Sequence, residues 1–268
     1  MSLPVKLLST DFDGTLHTEY EVPPIPADLE RIIGALQRHG VKWVINTGRD
    51  LSSLLETLAR SQVKIRPDYV IVVEREIYQL NQSEYVGLQE WNDACTQAHK
   101  LLFARIRSDM PKLLEWVRSN YEATIYEDTY SPFCLIARNT EDAEAIHQYL
   151  AEYCSRIGDL SVMRNDIYAR FSHVAYNKGT ALTEVARRLG IKPKEIIVAG
   201  DHFNDIPMLD KNVAEWLISP GNAISFVKES VKSQGGYVSH QLFGSGVARG
   251  LEYVLERCGC LERVASAT

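Results

Sequence analysis

Cysteine is sparse in this chain and nowhere spaced for a metal. The 268 residues hold five, at positions 95, 134, 154, 258 and 260, with no Cys-x-x-Cys pair. That spacing excludes zinc-finger and zinc-ribbon frameworks. An odd number of scattered thiols fits a reducing compartment better than a disulfide scaffold. No apolar run approaches the ~20 residues a membrane helix needs. The opening residues, with Pro4 and Lys6 ahead of an acidic loop, lack a signal-peptide h-region, so a cytoplasmic protein is expected. Basic residues form no run, and 29 Lys and Arg against 35 Asp and Glu leave a net charge of -6. The basic footprint that nucleic acid or an anionic membrane surface demands is therefore missing. Internal repeats and low-complexity tracts are absent as well, which removes solenoids and disordered linkers.

What is present is the makeup of a globular protein, 45% hydrophobic and 24% charged, in a chain long enough for one large or two modest domains. Val5–Thr10 is a short apolar run of strand length that ends in Asp11-Phe12-Asp13-Gly14-Thr15-Leu16. After the proline-rich connector 22–26, the apolar spacing of Leu29, Ile32, Ile33 and Leu36 predicts a helix over 27–39, stopped by Gly40. Residues 41–46 and 69–73 read as further buried strands around a helix at 51–61. Near-continuous apolar strands alternating with helices argue for a parallel sheet covered on both faces.

From about residue 80 the pattern changes. A long helical region over 88–120, broken near 108–111, precedes strand candidates at 122–127 and 133–138. A helix at 140–157 and a hairpin at 160–172, turning at Asn165-Asp166, complete an antiparallel block. The parallel pattern then resumes, with a helix at 178–189 and a strand at 195–199 ending in Gly200-Asp201-His202-Phe203-Asn204-Asp205. A strand is expected at 213–218, a closing helix at 245–257 and a loose tail from 261. The expected division is thus 1–82 with 173–268 for the α/β domain, and 83–172 for an inserted one.

The chemistry gathers in four loops at strand or domain edges, where open α/β sheets bind ligands. Asp11 and Asp13, two residues apart beside Gly14, suit a hard cation such as Mg2+, and a carboxylate can also attack phosphorus. An EF-hand is excluded, because its fifth, sixth and twelfth positions hold Thr15, Leu16 and Val22. Thr47 offers a hydroxyl and Gly48 an approachable amide at a helix start, a seat for phosphate. Lys178 offers a compact positive charge, while Asp201 and Asp205 add carboxylates. Singly, each has a plain explanation as a turn, a solvated lysine or a helix cap. Together, in this order and at these edges, they point to phosphoryl chemistry.

The four motifs resemble those of the haloacid dehalogenase (HAD) phosphohydrolases. Asp11–Leu16 resembles the first, Thr47-Gly48-Arg49 the second, Lys178 the third, and Gly200–Asp205 the fourth. The resemblance implies a Rossmann-like α/β core with a parallel sheet, plus an inserted α+β cap of order αββαββ, similar to the C2B cap of Cof-type and sugar-phosphatase members. It implies that Asp11 is the nucleophile and Asp13 the acid and base. Mg2+ would be held by Asp11, Asp201 and the backbone carbonyl of Asp13. Thr47, Gly48, Lys178 and Asn204 would bind the phosphate, and Asp205 would support the lysine. The implied partner is a small phosphorylated metabolite, a sugar phosphate foremost.

Two positions depart from the family pattern. Where many Cof-type relatives carry Asn-Gly after the third strand, this chain has Glu74-Arg75-Glu76. Acidic side chains there disfavour a second anionic group on the substrate, unless Arg75 points inward. His202 sits at a variable position and, with no other His or Cys paired to it, is not read as a metal ligand. Phosphoryl transfer between sugar hydroxyls on the same fold, and a silent binding module on the HAD scaffold, are the competing readings.

Overall fold

The structure, a computed structural model, describes residues 3–265. In chain order its elements are β1 (Leu7–Thr10), α1 (Ala27–Arg38), β2 (Lys42–Asn46), α2 (Leu51–Arg60), β3 (Tyr69–Val72), β4 (Glu76–Asn81) and β5 (Glu84–Gly87). Then come α3 (Gln89–Ile106), α4 (Met110–Asn120), β6 (Ala123–Tyr126), β7 (Cys134–Ala137), α5 (Thr140–Ser155), β8 (Leu160–Asn165) and β9 (Tyr168–His173). The chain closes with α6 (Lys178–Leu189), β10 (Ile196–Ala199), β11 (Trp216–Ser219), α7 (Ser225–Ser233), β12 (Tyr237–Val238), α8 (Phe243–Arg257) and α9 (Leu261–Ala265). No helix among the described residues is long and apolar enough to cross a membrane.

Two compact units divide the chain, Met1–Leu88 with Lys178–Thr268, and Gln89–Asn177. The discontinuous unit holds one sheet in the order β12-β11-β10-β1-β2-β3-β4-β5. Strands from β12 to β3 run parallel, and β4 and β5 extend the sheet as an antiparallel hairpin. The four residues of β1, β3 and β10 are all buried, so these strands are covered on both faces. Helix α1 buries Leu29, Ile32, Ile33 and Leu36, the face its spacing predicts. Each such side chain contributes about 1.5–3 kcal/mol when fully buried. β1 lies between β10 and β2. The chain leaves β1 on one side and returns on the other, so a crevice opens at the carboxyl end of β1.

Local chemistry accounts for three departures from the sequence expectations. The stretch at 213–215 is a turn, not a strand, because Asp210 accepts from the N–H groups of Asn212, Val213 and Ala214. The strand starts only at Trp216. The end of the chain is helical through Ala265, with Val264 buried, and the part of the expected tail after 265 lies outside the described residues. β5 belongs to the large sheet because it pairs with β4, residue 84 opposite Asn81, which carries the first unit to Leu88.

The continuous unit, Gln89–Asn177, carries an antiparallel sheet in the order β6-β7-β9-β8. One face packs Leu135, Ala169 and Phe171 against Leu102, Leu113, Val117, Ile146 and Leu150 of its helices. By register, the other face presents Tyr126, Cys134, Ile136, Tyr168 and Arg170. The helical region breaks where expected, between α3 and α4, with Pro111 in the first turn of the second.

Candidate active site

The crevice at β1 is built from the strand ends outward. Asp11 directly follows β1, and its N–H donates to the carbonyl of Ala199 at 2.9 Å, locking it beside the end of β10. Gly14 turns the loop back with φ +77°. A Cβ there would stand 2.5 Å from Oδ2 of Asp201, so the close approach of the first and fourth loops requires glycine. Thr15 donates its hydroxyl to Oδ1 of Asp201 at 2.7 Å. Asn222 donates to the carbonyl of Gly14 at 2.8 Å, a second tie between the same loops.

Lys178 stands at the start of α6 with its side chain fully buried. Its Nζ donates to Oδ1 of Asp11 at 2.6 Å and to Oδ1 of Asp205 at 2.7 Å. Asn46, at the end of β2, donates to the Lys178 carbonyl at 2.9 Å and fixes the helix start. The other oxygen of Asp205 accepts from the N–H groups of Asp201 and His202 at 2.8 and 2.9 Å. Asp205 therefore spends both oxygens holding the lysine and the fourth loop.

Carboxylate oxygens of Asp11, Asp201 and Asp205 lie within 4.8 Å of one another. Burial raises Asp11 well above the ordinary carboxylate range, with Asp205 and Asp201 adding to the shift and Lys178 opposing it. Burial and Asp205 push Asp201 up to about 7, against the pull of Thr15 and Lys178. Burial alone would lower Lys178, but Asp11, Asp205 and Glu74 hold it above its ordinary value. Three carboxylates facing one ammonium leave two negative charges, which a single divalent cation would balance. All the donors are oxygen, the ligand set that suits Mg2+. The residues fit the ion.

Thr47 follows β2 and is buried, its N–H bonded to the Ile71 carbonyl at 2.8 Å. Its hydroxyl accepts from the N–H of Arg49 at 3.2 Å. Arg49 reaches back to the first loop, with Nε 2.7 Å from Oδ2 of Asp13 and Nη2 2.7 Å from Oδ1. Its remaining nitrogen donates to the hydroxyls of Ser53 and Thr57 on α2, and its cation lies 5.4 Å from the centre of the Phe12 ring. His17 stacks on the other partner of this loop, Phe12, at 5.0 Å, and burial lowers its pKa. Asn204 donates to Oε1 of Glu74 at 2.9 Å.

Against known proteins, residues 4–254 match the sucrose-6F-phosphate phosphohydrolase family. The chain belongs to that family. As a sucrose-phosphohydrolase-family member it is a phosphatase of the HAD superfamily, with the α/β fold expected. The sucrose-phosphatase of Synechocystis sp. PCC6803, solved with sucrose and phosphate, superposes with a TM-score of 0.69 at 18% identity, over 97% of this chain and all of that one. A haloacid dehalogenase-like hydrolase of Bacillus subtilis gives 0.65 at 18%, over 94% and 100%. A phosphoglycolate phosphatase of Methanopyrus kandleri is 27% identical over 93% of this chain and 97% of its own length.

In this family member, Asp11, Lys178, Asp201 and Asp205 meet in one cluster. Thr47, Gly48 and Asn204 gather around Glu74, whose N–H bonds the Thr47 carbonyl and whose side chain lies near Gly48 and accepts from Asn204. Asp13 instead faces Arg49. Three contributors escaped the sequence reading, namely the Arg49 fork, the Asn222 tie and the Glu74–Asn204 bond. Arg49 stood in a quoted motif but had no visible partner; Asn222 carried no motif signal.

Proposed function

We propose that this chain is a Mg2+-dependent phosphohydrolase of small phosphorylated metabolites, sugar phosphates foremost, working through an aspartyl-phosphate on Asp11. The observation that carries the reading is the Asp11–Lys178–Asp205 chain of short contacts beside Asp201, buried at the switch point of the sheet. Membership of a family named for sucrose-6F-phosphate supports the sugar-phosphate class.

In this reading Mg2+ would be held by Asp11, Asp201 and the main-chain carbonyl of Asp13. When bound, it supplies positive charge that offsets the phosphate and the crowded carboxylates. Lys178, Thr47, the Gly48 amide and Asn204 hold the phosphoryl oxygens, giving fixed donors where charge develops. An Asp11 oxygen forms a bond to phosphorus as the ester P–O bond breaks. The leaving oxygen takes a proton from Asp13. Asp13 then removes a proton from water, whose oxygen bonds to phosphorus as the Asp11–phosphorus bond breaks, releasing inorganic phosphate. Substrate selection is assigned in part to the inserted unit, Gln89–Asn177.

The test uses the activated ester p-nitrophenyl phosphate in a rapid quench, followed by peptide mapping. Asp11→Asn is expected to abolish both turnover and label, because an amide is no nucleophile. Asp13→Asn is expected to lose about 10^2–10^4 in steady-state rate, yet to accumulate label on Asp11. An active Asp11→Asn with a dead, unlabelled Asp13→Asn reverses the two roles. Full turnover in excess chelator removes the metal.

A further inference from the structure

Beside the cluster of Asp11, Asp201 and Asp205 stands a further buried carboxylate, Glu74, to which the proposed chemistry gives no role. This residue lies in the turn between β3 and β4, where Val73 and Glu74 both take left-handed backbone, with φ 45° and 67°. Such conformations in side-chain-bearing residues persist where surrounding structure fixes them, and they gather at functional sites. Here the fixing is visible. The N–H groups of Val73 and Glu74 donate to the carbonyls of Arg49 and Thr47 at 2.8 and 2.9 Å, stitching the turn onto the loop after β2.

The Glu74 side chain is buried and turned toward the phosphate-binding groups. Its Oε1 accepts from Nδ2 of Asn204 at 2.9 Å, and it lies 3.5 Å from where a Cβ on Gly48 would stand. Its charge reaches Lys178, where it helps hold the ammonium protonated. The carboxylate thus borders Gly48 and Asn204 and acts on Lys178. Because a carboxylate only accepts, it also dictates the Asn204 amide, nitrogen toward Glu74 and Oδ1 away. That Oδ1 is buried with no hydrogen-bond partner among the described residues. The second N–H of that amide remains for a phosphoryl oxygen, so the Glu74 carboxylate stands directly behind a phosphate-binding group.

We propose that Glu74 is a specificity-determining residue that confines the site to phosphate monoesters of uncharged alcohols, turning away esters whose alcohol carries a carboxylate or a second phosphate. The inference rests on the monoester reading above and narrows it. Like charges a few ångströms apart in a water-poor site repel, and such repulsion is how a site rejects a near neighbour of its substrate. The names in this chain's kinship span both classes, an uncharged disaccharide ester and a carboxylated one. Arg75, buried next to Glu74 in the turn, is the adjacent charge of opposite sign.

Glu74→Gln keeps the size and the acceptor for Asn204 while removing the charge. Two matched pairs serve as probes, glycerol 3-phosphate with 3-phosphoglycerate, and glucose 6-phosphate with 6-phosphogluconate. The wild type is expected to favour the uncharged member of each pair in kcat/KM. Glu74→Gln is expected to raise the charged-to-uncharged ratio on the order of tenfold, mostly through KM of the charged ester. Glu74→Asn, whose side chain tolerates left-handed backbone, must move the ratio the same way. An unmoved ratio in both variants overturns the role of Glu74, the result expected if Arg75 cancels its field. If the wild type also favours the charged members, the sugar-phosphate reading falls with it. If the wild type favours the uncharged members and the ratio stays fixed, Glu74 alone falls.

Discussion

Both carboxylate oxygens of Asp13 accept from Arg49, whose third nitrogen is pinned to Ser53 and Thr57. A planar fork of this kind binds the ionised carboxylate, and the ion pair raises Arg49 above its ordinary pKa through that hydrogen bond. A general acid needs a proton, so in the proposed cycle Arg49 yields one Asp13 oxygen to the leaving group and reclaims it afterwards. Arg49 then acts through Asp13 as a positioning residue. Arg49→Ala is expected to slow hydrolysis of an alkyl phosphate by about 10–10^2, and of p-nitrophenyl phosphate by much less, since that leaving group needs no proton. Arg49→Lys, which keeps the charge but loses the fork, should recover part of the difference. Equal losses on both esters would place Arg49 on the phosphate rather than behind Asp13.

At the level of elements, the site depends on how closely α6 can approach the fourth loop. Gly179 makes that approach possible, since a Cβ there would lie 2.0 Å from the carbonyl oxygen of Pro207. The backbone cannot yield there as a side-chain tip can. Gly179→Ala is expected to destabilise by about 1–3 kcal/mol, read as a lowered urea midpoint with unchanged slope. It should also raise KM by displacing Lys178. The same elements show what the sequence made legible. β1, β2, β3 and β10 are apolar runs ending in polar loops, and α6 begins at the lysine its motif marks. The β4–β5 hairpin was hidden, because Gln82 takes the left-handed turn position that Asn-Gly would have announced. Helix α7 was hidden for a similar reason, its N-cap being Ile224 with no side-chain cap. Asp11, Lys178, Asp201 and Asp205 were legible because each chemical type recurs at a strand edge. The Arg49–Asp13 and Glu74–Asn204 bonds were not, since they join residues 36 and 130 positions apart.

For the molecule as a whole, the crowded acids tie folding to pH and to divalent cations. Asp201 titrates at about 7 in the folded chain against an ordinary 3.8, and Asp11 shifts the same way. A raised pKa means the folded state holds its proton more tightly. The associated stability is fully present below pH about 4 and is lost as pH climbs to about 7. In chelator, Tm should therefore fall across that window. Mg2+ competes with those protons, so its stabilisation should grow over the same range. At a hundredfold excess over Kd it should reach about 2.7 kcal/mol. Differential scanning calorimetry at pH 5 and pH 8, with and without Mg2+, checks both slopes. A Tm gain from Mg2+ that is larger at pH 5 would contradict them.

The discontinuity of the larger unit also sets a schedule at the ribosome. β1 is made first and can pair with β2 almost at once, but its other neighbour, β10, begins 189 residues after β1 does, at Ile196. At about 5–20 residues per second that is roughly 10–40 s of synthesis. For most of that interval Asp11 has no Lys178 to meet, Asp205 is made only after β10, and one flank of β1 is an unpaired strand edge of the kind that recruits other chains. The segment 89–177, by contrast, is continuous and carries its own core. It can close while the nascent chain still waits for β10. The catalytic sheet of this phosphatase is thus begun early and finished late.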